Sequence, residues 1–416
     1  MTELAIVRRT VPADCRLADA MHPVLRRIFA ARGVRTEAEL DTALDGLHRT
    51  ELLGGIEAAV SLLETAVTED RAILIVADFD ADGATRCAVA MRALAAMGAT
   101  QVSYIVPNRF EYGYGLTPPI VELAKARDTR LLSTVDNGIS SIDGVACARA
   151  AGIDVLITDH HLPGAQMPDA NAIVNPNVPG DGFPSKALAG VGVIFYVMLG
   201  LRRRLLDVGW FERSGIAQPN LAQLLDLVAL GTVADVVPLD QNNRRLVQQG
   251  LKRIRAGRSQ PGIAALLGIA GRDPARATAT DLGFAVGPRL NAAGRLADMS
   301  LGIECLLNDD RQQCDRAAVK LDELNRQRRE IEGDMKQQAL ALVESMTFDD
   351  DALPAGLCLQ DETWHQGVVG IVASRIKERY HRPVIAFAPS DAGELKGSGR
   401  SVAGVHMRDA LDAIAA

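Results

Sequence analysis

The sequence is organised by a short apolar run, rich in β-branched residues, that ends abruptly at three aspartates on alternate positions. The run covers residues 72–77, and the aspartates are Asp78, Asp80 and Asp82. Such a run predicts a strand buried on both faces, as in a parallel sheet. Open α/β sheets bind their ligands at the carboxyl ends of the strands, where these aspartates lie. Three carboxylates this close repel one another, and a divalent cation compensates them best.

Taken alone, the triplet is about as compatible with a solvated acidic turn as with a metal site. A calcium loop of the EF-hand type needs further ligands and a glutamate about twelve residues along. Here Gly83-Ala84-Thr85 leads into a predicted helix instead. The rest of the chain therefore has to decide between the turn and the metal site.

Strands and helices continue to alternate after the first aspartates. Predicted strands cover residues 102–106, 131–135 and 153–158, with a predicted helix before each of them. This spacing is typical of a doubly wound parallel sheet. Right-handed crossovers would bring all the strand ends to one edge.

Two of these later strands also end in residues that bind metals. Asp136 and Asn137 follow the strand at 131–135, and Asp159, His160 and His161 follow the strand at 153–158. An Asp-Asn-Gly turn or a lone histidine is usually structural, but three such clusters at one edge indicate a functional site. Carboxylates with one or two imidazoles and no thiolate favour Mn²⁺ or Mg²⁺ over structural zinc.

Further candidate residues lie later in the chain. Asp235 interrupts an apolar run and, if buried, needs a partner: a metal ion, an N-cap or the hydrogen bonds of a core aspartate. Arginine is the preferred planar donor for phosphate, small residues let a backbone approach it, and tyrosines stack on bases. Each such feature alone is more often an ordinary surface. The candidates are Arg109, Tyr114, Arg289, Asn291, Arg295, Ser398, Gly399 and Arg400.

Composition limits the class of protein. With 416 residues, 48% hydrophobic and 23% charged, the chain is expected to form two or three domains of a soluble protein. The net charge of −7 argues against a wholly basic nucleic-acid coat but not against a local basic groove. Scattered cysteines, no signal peptide and no segment long enough to cross a bilayer together predict a cytoplasmic protein without membrane contact.

The pattern changes in the last third of the chain. Between residues 314 and 343 apolar residues recur near a heptad spacing, which predicts one long exposed helix between two domains rather than an intermolecular coiled coil. We predict a helical lead-in at 1–50, a catalytic domain at 51–305, a linker helix at 306–346 and a smaller α/β domain at 347–416. The last domain ends inside a predicted helix, which suggests a fragment.

The ordered motifs resemble those of the DHH phosphoesterases. They are Asp78-Phe-Asp80-Ala-Asp82-Gly83, Asp136-Asn137-Gly138, Asp159-His160-His161, Gly231-Thr-Val-Ala-Asp235 and Gly397-Ser-Gly-Arg400-Ser. The resemblance implies an α/β protein in which a doubly wound parallel-sheet DHH domain is joined by a long helix to a smaller α/β DHHA1 domain. It is strongest for the bacterial branch that degrades single-stranded DNA 5′→3′ to 5′-mononucleotides in repair and recombination. That branch usually continues into an OB-fold, which is not seen in this sequence.

The strand-end argument and the resemblance together assign expected roles. His161 would contact a phosphoryl oxygen or assist the leaving group, and Asp159 would orient its neighbours. Asn137 would join the substrate-binding candidates, of which Arg109, Arg289, Ser398 and Arg400 would hold the 5′-phosphate. Two ions, Mn²⁺ or Mg²⁺ with Asp136 bridging, are expected on Asp78, Asp80, Asp82, Asp136, His160 and Asp235.

Two other functions stay open on the sequence. One is a DHH phosphodiesterase acting on short oligonucleotides, cyclic dinucleotides or pyrophosphate, against which the chain length and the residues 287–295 argue. The other is a non-catalytic nucleic-acid-binding subunit, which predicts eroded metal ligands, whereas all are present here. Expected partners are single-stranded DNA and, by resemblance, a single-strand-binding protein and a helicase.

Overall fold

The computed structural model describes residues 7–12, 14–107, 112, 115–346, 354–390 and 393–415. Within these residues, two β-sheets have separate hydrophobic cores, and one long helix contributes to both. The α-helices are α1 (Pro23–Ala30), α2 (Ile56–Thr68), α3 (Ala81–Ala96), α4 (Pro118–Lys125), α5 (Ile142–Ala150), α6 (Gly190–Asp207), α7 (Trp210–Ser214), α8 (Leu225–Ala234), α9 (Gln241–Arg255), α10 (Pro261–Ile269), α11 (Ala279–Asp281), α12 (Gly287–Leu296), α13 (Ser300–Leu307), α14 (Arg311–Ser345), α15 (Val369–Tyr380) and α16 (Met407–Ala415). The strands are β1 (Ile73–Ala77), β2 (Val102–Ile105), β3 (Leu131–Val135), β4 (Asp154–Thr158), β5 (Ala172–Val174), β6 (Leu357–Gln360), β7 (Val384–Pro389) and β8 (Leu395–Arg400).

The first sheet is wholly parallel, in the order β2-β1-β3-β4-β5. Ala77 of β1 pairs with Val135 of β3, and Val135 pairs in turn with Thr158 of β4. The residues that follow these three therefore leave three adjacent strands at the same level. The predicted doubly wound parallel sheet is confirmed, and β5 is a short edge strand that the sequence analysis did not identify.

Strand β1 is buried on both faces, as its continuous apolar run predicts. Ile73, Ile75 and Ala77 belong to the large core with α2, α3, α6 and α8. Leu74 and Val76 point to the opposite face and pack with residues of α4 and α5. Burying a side chain of this size is worth about 1.5–3 kcal/mol, so both helical layers stabilise the strand that presents the first aspartates.

The long apolar segment at residues 190–201 forms most of α6. It is buried against α2, α3 and α8 rather than exposed. No helix in the described part of the chain combines the length and the apolar character that crossing a membrane requires.

The glycine-rich segment at 287–295 is helical, which its glycines did not indicate. It forms α12, preceded by a π-helical turn at Leu282–Val286. A Cβ atom at Gly294 would lie 1.7 Å from the carbonyl oxygen of Phe79. Glycine there lets α12 pack directly against the residues that follow β1.

Helix α14 is the predicted linker helix, with 35 residues. Asp310 caps its first turn by accepting hydrogen bonds from the backbone N–H groups of Gln312 and Gln313. Its first half buries Leu321 in the larger core, and its second half buries Met335 in the smaller one. One rigid helix therefore belongs to both domains.

The smaller domain has a three-stranded mixed sheet. Strand β7 lies in the middle, parallel to β6 and antiparallel to β8. Alternate residues of β7 (Val384, Ala386 and Ala388) point into the core beneath α15. The predicted smaller α/β domain after the long helix is confirmed.

Arg289 joins α12 to α14 through a buried ion pair. Its Nε and Nη2 atoms lie 2.9 and 2.7 Å from Oδ1 of Asp322, and Nη1 donates to the carbonyl oxygen of Ala285. Asp322 also pairs with Arg326, whose side chain is exposed. The Arg289 guanidinium is thus bound within the protein, and its predicted contact with a 5′-phosphate stays a prediction.

Replacing Arg289 with methionine should lower the free energy of unfolding by about 2 kcal/mol, because a buried carboxylate loses its main partner. Chemical denaturation followed by circular dichroism measures the change. The control is Arg326→Met, which removes the exposed partner of the same carboxylate and should cost less than about 1 kcal/mol. Equal effects of the two substitutions would contradict a structural role for Arg289.

Candidate metal centre

The first aspartates occupy the junction between β1 and α3. Asp80 is the N-cap of α3, and its Oδ1 accepts a hydrogen bond of 2.8 Å from the backbone N–H of Gly83. A Cβ atom at Gly83 would lie 2.6 Å from the carbonyl oxygen of Asp78, so glycine permits the helix to start immediately after the strand. Asp82 lies in the first turn of α3 and is fully buried.

The second motif follows β3 in a strained turn. Asp136 has a φ angle of 69°, in the left-handed region that residues other than glycine rarely adopt. The Asn137 side chain donates to the carbonyl oxygens of Val76 and Val135, 3.3 and 3.1 Å away, and so connects β1 to β3. The amide nitrogen of Asn137 thus serves the fold, and its predicted substrate contact stays a prediction.

The third motif is held together by Asp159. Its Oδ1 accepts hydrogen bonds from the backbone N–H groups of His160 and His161, and lies 2.7 Å from Nδ1 of His161. Its Oδ2 accepts from the backbone N–H of Ile139 at 3.1 Å. Both oxygens are therefore engaged within the protein, which supports an orienting role for Asp159 rather than metal ligation.

Asp235 brings a fourth motif to the same place. It is the C-cap of α8, not an N-cap, and a carboxylate there faces the negative end of the helix dipole. Its Oδ2 is buried and has no hydrogen-bond partner among the described residues. A carboxylate in this position needs a cation.

The motifs meet around His160. Its Nε2 lies 3.4 Å from Oδ1 of Asp136 and 3.5 Å from Oδ2 of Asp235. Two groups of residues could each hold a metal ion, because the ligand atoms within each group lie within 4.8 Å of one another. One group is Asp136, His160 and His161, and the other is Asp82, His160 and Asp235. Four of the six expected ligands thus converge, while Asp78 and Asp80 lie outside these two groups.

Burial of the aspartates and repulsion between them raise the pKa values of four carboxyl groups in the centre. Burial, with the neighbouring Asp80, raises the pKa of Asp78 to about 7, and burial, with Asp82, raises the pKa of Asp235 to about 7. Burial also raises the pKa of Asp80 and that of Asp136. A divalent cation relieves this repulsion, so the carboxylates fit Mn²⁺ or Mg²⁺.

The two histidines differ in charge. Burial, together with nearby Arg86, lowers the pKa of His160 to about 4, so its imidazole is neutral and able to bind a metal at neutral pH. The hydrogen bond to Asp159 raises the pKa of His161, whose side chain is half exposed. Burial alone would raise the pKa of Asp159, but its bond with His161 lowers it to about 2. Of the two rings, His161 is therefore the more easily protonated.

Arg86 is the residue of this centre that the sequence analysis missed. Its side chain is fully buried, with Nε 2.8 Å from Oδ2 of Asp82 and Nη2 2.7 Å from Oδ1 of Asp136. Burial by itself would lower the pKa of Arg86, but the carboxylates of Asp136 and Asp82 raise it. Its spacing of one helical turn from Asp82 was the available signal.

Two of the expected substrate residues hold α12 in place beside the centre. The Asn291 side chain accepts a hydrogen bond of 2.7 Å from the backbone N–H of Ala81, in the first turn of α3. Arg295 donates to the carbonyl oxygen of Gly367 at 3.1 Å, which ties α12 to the smaller domain. Arg109 and Tyr114 lie outside the described residues.

Ser398 and Arg400 lie together on β8. Nη1 of Arg400 is 3.1 Å from Oγ of Ser398, and a Cβ atom at Gly370 would lie 2.9 Å or less from each side chain. Gly399 lies between them, facing Met407. Both side chains therefore cover the first turn of α15, where backbone N–H groups favour anions.

A cavity of about 920 Å³ lies where α12, α14 and α15 meet. Asn291 lines it, so it begins beside the first turn of α3. Phe284 also lines it and is 78% exposed. The basic side chains that line the cavity outnumber the two acidic ones, Glu332 and Glu378. The basic residues are Arg295, Arg328, Arg329, Lys336, Arg375 and Arg379.

Comparison with known families matches both domains. The DHH family, N-terminal domain, matches residues 72–232, and the DHHA1 domain matches residues 353–416. A parallel sheet with aspartates and histidines at its edge, followed by a long helix and a second small sheet, therefore defines a protein of the DHH class. The resemblance inferred from the motifs is confirmed.

Individual relatives narrow the class. The single-stranded-DNA-specific exonuclease RecJ of Dickeya dadantii is 58% identical over 412 residues, which cover 99% of this chain and 72% of that protein. A crystal structure of exonuclease RecJ bound to manganese has a TM-score of 0.72 and 35% identity, over 86% of this chain and 85% of that one. RecJ of Thermus thermophilus in complex with Mg²⁺ has a TM-score of 0.69 and 31% identity, over 93% of this chain and 50% of that one. This chain belongs to the RecJ family.

Lower pH should weaken the binding of Mn²⁺. Asp78 and Asp235, with pKa values raised to about 7, hold protons below that pH, and an ion has to displace them. The same raised pKa values mean that the metal-free fold loses stability as the pH rises towards 7. Between pH 8 and pH 6 we expect the apparent affinity to fall roughly ten- to hundredfold.

Thermal unfolding during Mn²⁺ titration at the two pH values measures this effect. The control is Asp235→Asn, which should bind Mn²⁺ more weakly and with a shallower pH dependence, because one of the two titrating groups is gone. An affinity of the unmodified protein that is equal at both pH values would contradict the raised pKa values.

Proposed function

We propose that this chain is a divalent-metal-dependent exonuclease that degrades single-stranded DNA 5′→3′ to 5′-mononucleotides. The observation that carries the proposal is the convergence of Asp82, Asp136, His160 and Asp235 at the edge of the parallel sheet, beside a basic cavity between the domains. The similarity to the single-stranded-DNA-specific exonuclease RecJ of Dickeya dadantii supports single-stranded DNA as the substrate.

Mn²⁺ or Mg²⁺ is the proposed cation of the centre, held by the six expected ligands. Such an ion polarises the scissile phosphate and lowers the pKa of an attacking water. The buried, unpartnered Oδ2 of Asp235 and the neutral imidazole of His160 fit this ion. By resemblance, these six ligands would hold two ions, with Asp136 as the shared ligand.

The proposed roles of the other residues follow from their hydrogen bonds. Asp159 fixes the His161 ring through Nδ1, and the raised pKa of His161 favours a protonated ring. His161 then donates a hydrogen bond to a phosphoryl oxygen or a proton to the leaving 3′-oxygen. Its half-exposed side chain is accessible from the solvent side of the centre.

The proposed path of the strand is the basic cavity. Single-stranded DNA is bound by positive grooves that follow its backbone and by aromatic rings that stack on its bases. Arg329 and Lys336 supply positive charge that is not paired with a carboxylate among the described residues, and exposed Phe284 supplies a ring. A groove bounded by two domains and α14 favours a single strand over a duplex.

The 5′-terminal phosphate is proposed to bind at β8 and α15. Ser398, Arg400 and the backbone at Gly399 lie over the first turn of α15, which combines a guanidinium, a hydroxyl and helix N–H groups. Arg109 and Tyr114 are proposed, on the resemblance, as further substrate contacts. A pocket of this kind restricts cleavage to a chain end.

The cellular setting is proposed on the resemblance alone. We propose that the protein works in the cytoplasm, in DNA repair and recombination. A single-strand-binding protein and a helicase are the proposed partners, since each of them supplies or exposes single strands.

The first experiment uses a single-stranded oligonucleotide with a label at either end, in the presence of Mn²⁺ or EDTA. We expect mononucleotides from the 5′ end, no cleavage in EDTA and little cleavage of blunt duplex. Asp136→Asn should lower turnover at least about 10³-fold, because it removes a charge at the reacting centre. Cleavage restricted to dinucleotides or cyclic dinucleotides would favour the small-substrate alternative, and binding without any cleavage would favour the binding subunit.

Arg400→Ala should discriminate between strands by their 5′ end. We expect a loss of roughly ten- to hundredfold in kcat/KM on 5′-phosphorylated strands and a much smaller loss on 5′-hydroxyl strands, because a charged hydrogen bond to the phosphate disappears. The matched control is Phe284→Ala, which should weaken binding of both strands equally, by roughly fivefold or more, through lost stacking. Equal losses on both strands for Arg400→Ala would remove Arg400 from the phosphate pocket.

A further inference from the structure

We propose that Arg86 is a resident cation of the metal centre and takes the place of one divalent ion. The chain would then hold one ion where its carboxylates alone would hold two. The inference rests on the proposed function only in that the centre binds a divalent cation.

The position of the guanidinium carries the inference. Its Nε is 2.8 Å from Oδ2 of Asp82, and its Nη2 is 2.7 Å from Oδ1 of Asp136. It therefore bridges the aspartate of the first motif to the expected bridging ligand of the second. Mg²⁺ binds carboxylate oxygens at about 2.0–2.1 Å, so an ion that bridges the same two oxygens would overlap with the guanidinium nitrogens.

The fold is built around this guanidinium. A Cβ atom at Gly190, the first residue of α6, would lie 1.2 Å from Cζ of Arg86, so only glycine leaves the space. The other carboxylate oxygen of Asp82 accepts a hydrogen bond of 3.2 Å from the backbone N–H of Val191. Both oxygens of Asp82 are thus engaged by the protein, in an arrangement that needs no ion.

Moving the Arg86 side chain out of this position would be energetically unfavourable. The side chain is fully buried and carries a charge, and a buried charge separated from its partners is strongly unfavourable. Its remaining donor, Nη1, is buried without a hydrogen-bond partner in the described part of the chain.

One ion position remains beside the guanidinium. His160 faces both Asp136 and Asp235 at 3.4 and 3.5 Å, and Oδ2 of Asp235 is buried without a partner among the described residues. A divalent ion among these three residues meets an imidazole nitrogen and carboxylate oxygens, which suits Mn²⁺. Arg86 and this ion together would supply the positive charge that the centre requires.

The test counts Mn²⁺ ions in the intact, metal-stripped chain. Isothermal titration and elemental analysis give the stoichiometry, and electron paramagnetic resonance distinguishes an isolated Mn²⁺ from a coupled pair about 3.5–4 Å apart. We expect about one isolated ion per chain in the unmodified protein. Arg86→Ser should bind about two ions with a coupled spectrum, because the position between Asp82 and Asp136 is opened.

Two further variants make the result decisive. Gly190→Ala keeps Arg86 but forces its guanidinium aside, and it should also raise the ion count if Arg86→Ser fails to fold. The matched control is Arg92→Ser, on the same helix, whose guanidinium binds the carbonyl oxygens of Leu306 and Leu307. Arg92→Ser should keep the ion count and the spectrum of the unmodified protein.

The outcomes separate this inference from the proposed function. A coupled pair of Mn²⁺ ions in the unmodified protein, or one isolated ion in both folded Arg86→Ser and Gly190→Ala, would overturn the inference and leave a metal-dependent nuclease intact. Failure of every variant to bind Mn²⁺, together with no cleavage of single strands, would overturn the proposed function itself.

Discussion

Repulsion between buried carboxylates is the interaction on which this structure depends. Three adjacent parallel strands end at the same level, and each delivers an aspartate to one edge. The pKa of Asp78 and that of Asp235 rise to about 7, first because of burial and second because of neighbouring carboxylates. A cation among these groups relieves the repulsion, and a divalent cation would also supply the chemistry of the site.

The surrounding residues divide between holding this edge together and facing the substrate. Asn137, Asp159 and Asn291 use hydrogen bonds to tie strands, turns and α12 to one another. Arg295 connects α12 to the smaller domain through Gly367. The chemistry of the centre is thus placed on rigid elements, while α14 and α12 set the distance to the basic cavity and to β8.

The sequence predicted those parts of the fold that depend on local pattern. The two-sided apolar run of β1 and the Asp-Asn-Gly turn after β3 lie where they were expected, because a strand buried on both faces is mostly apolar and its charged residues come after its end. Helix α12 was not anticipated, because its two glycines and its proline resemble the punctuation of a loop, whereas Gly294 serves close packing against Phe79. The ion pair of Arg289 with Asp322 was not anticipated, because the two residues lie 33 positions apart in the sequence.

What the sequence by itself determined is the order of the strands' polar ends, the type of ligand that each offers and the family to which the chain belongs. These follow from residue types at fixed spacing, which the chain carries whatever its tertiary structure. Only the tertiary structure decided which charges meet. Arg86 is an ordinary helical arginine in the sequence, yet the packing of α6 against α3 seats it between Asp82 and Asp136. Such contacts depend on the approach of distant segments, which local pattern does not encode.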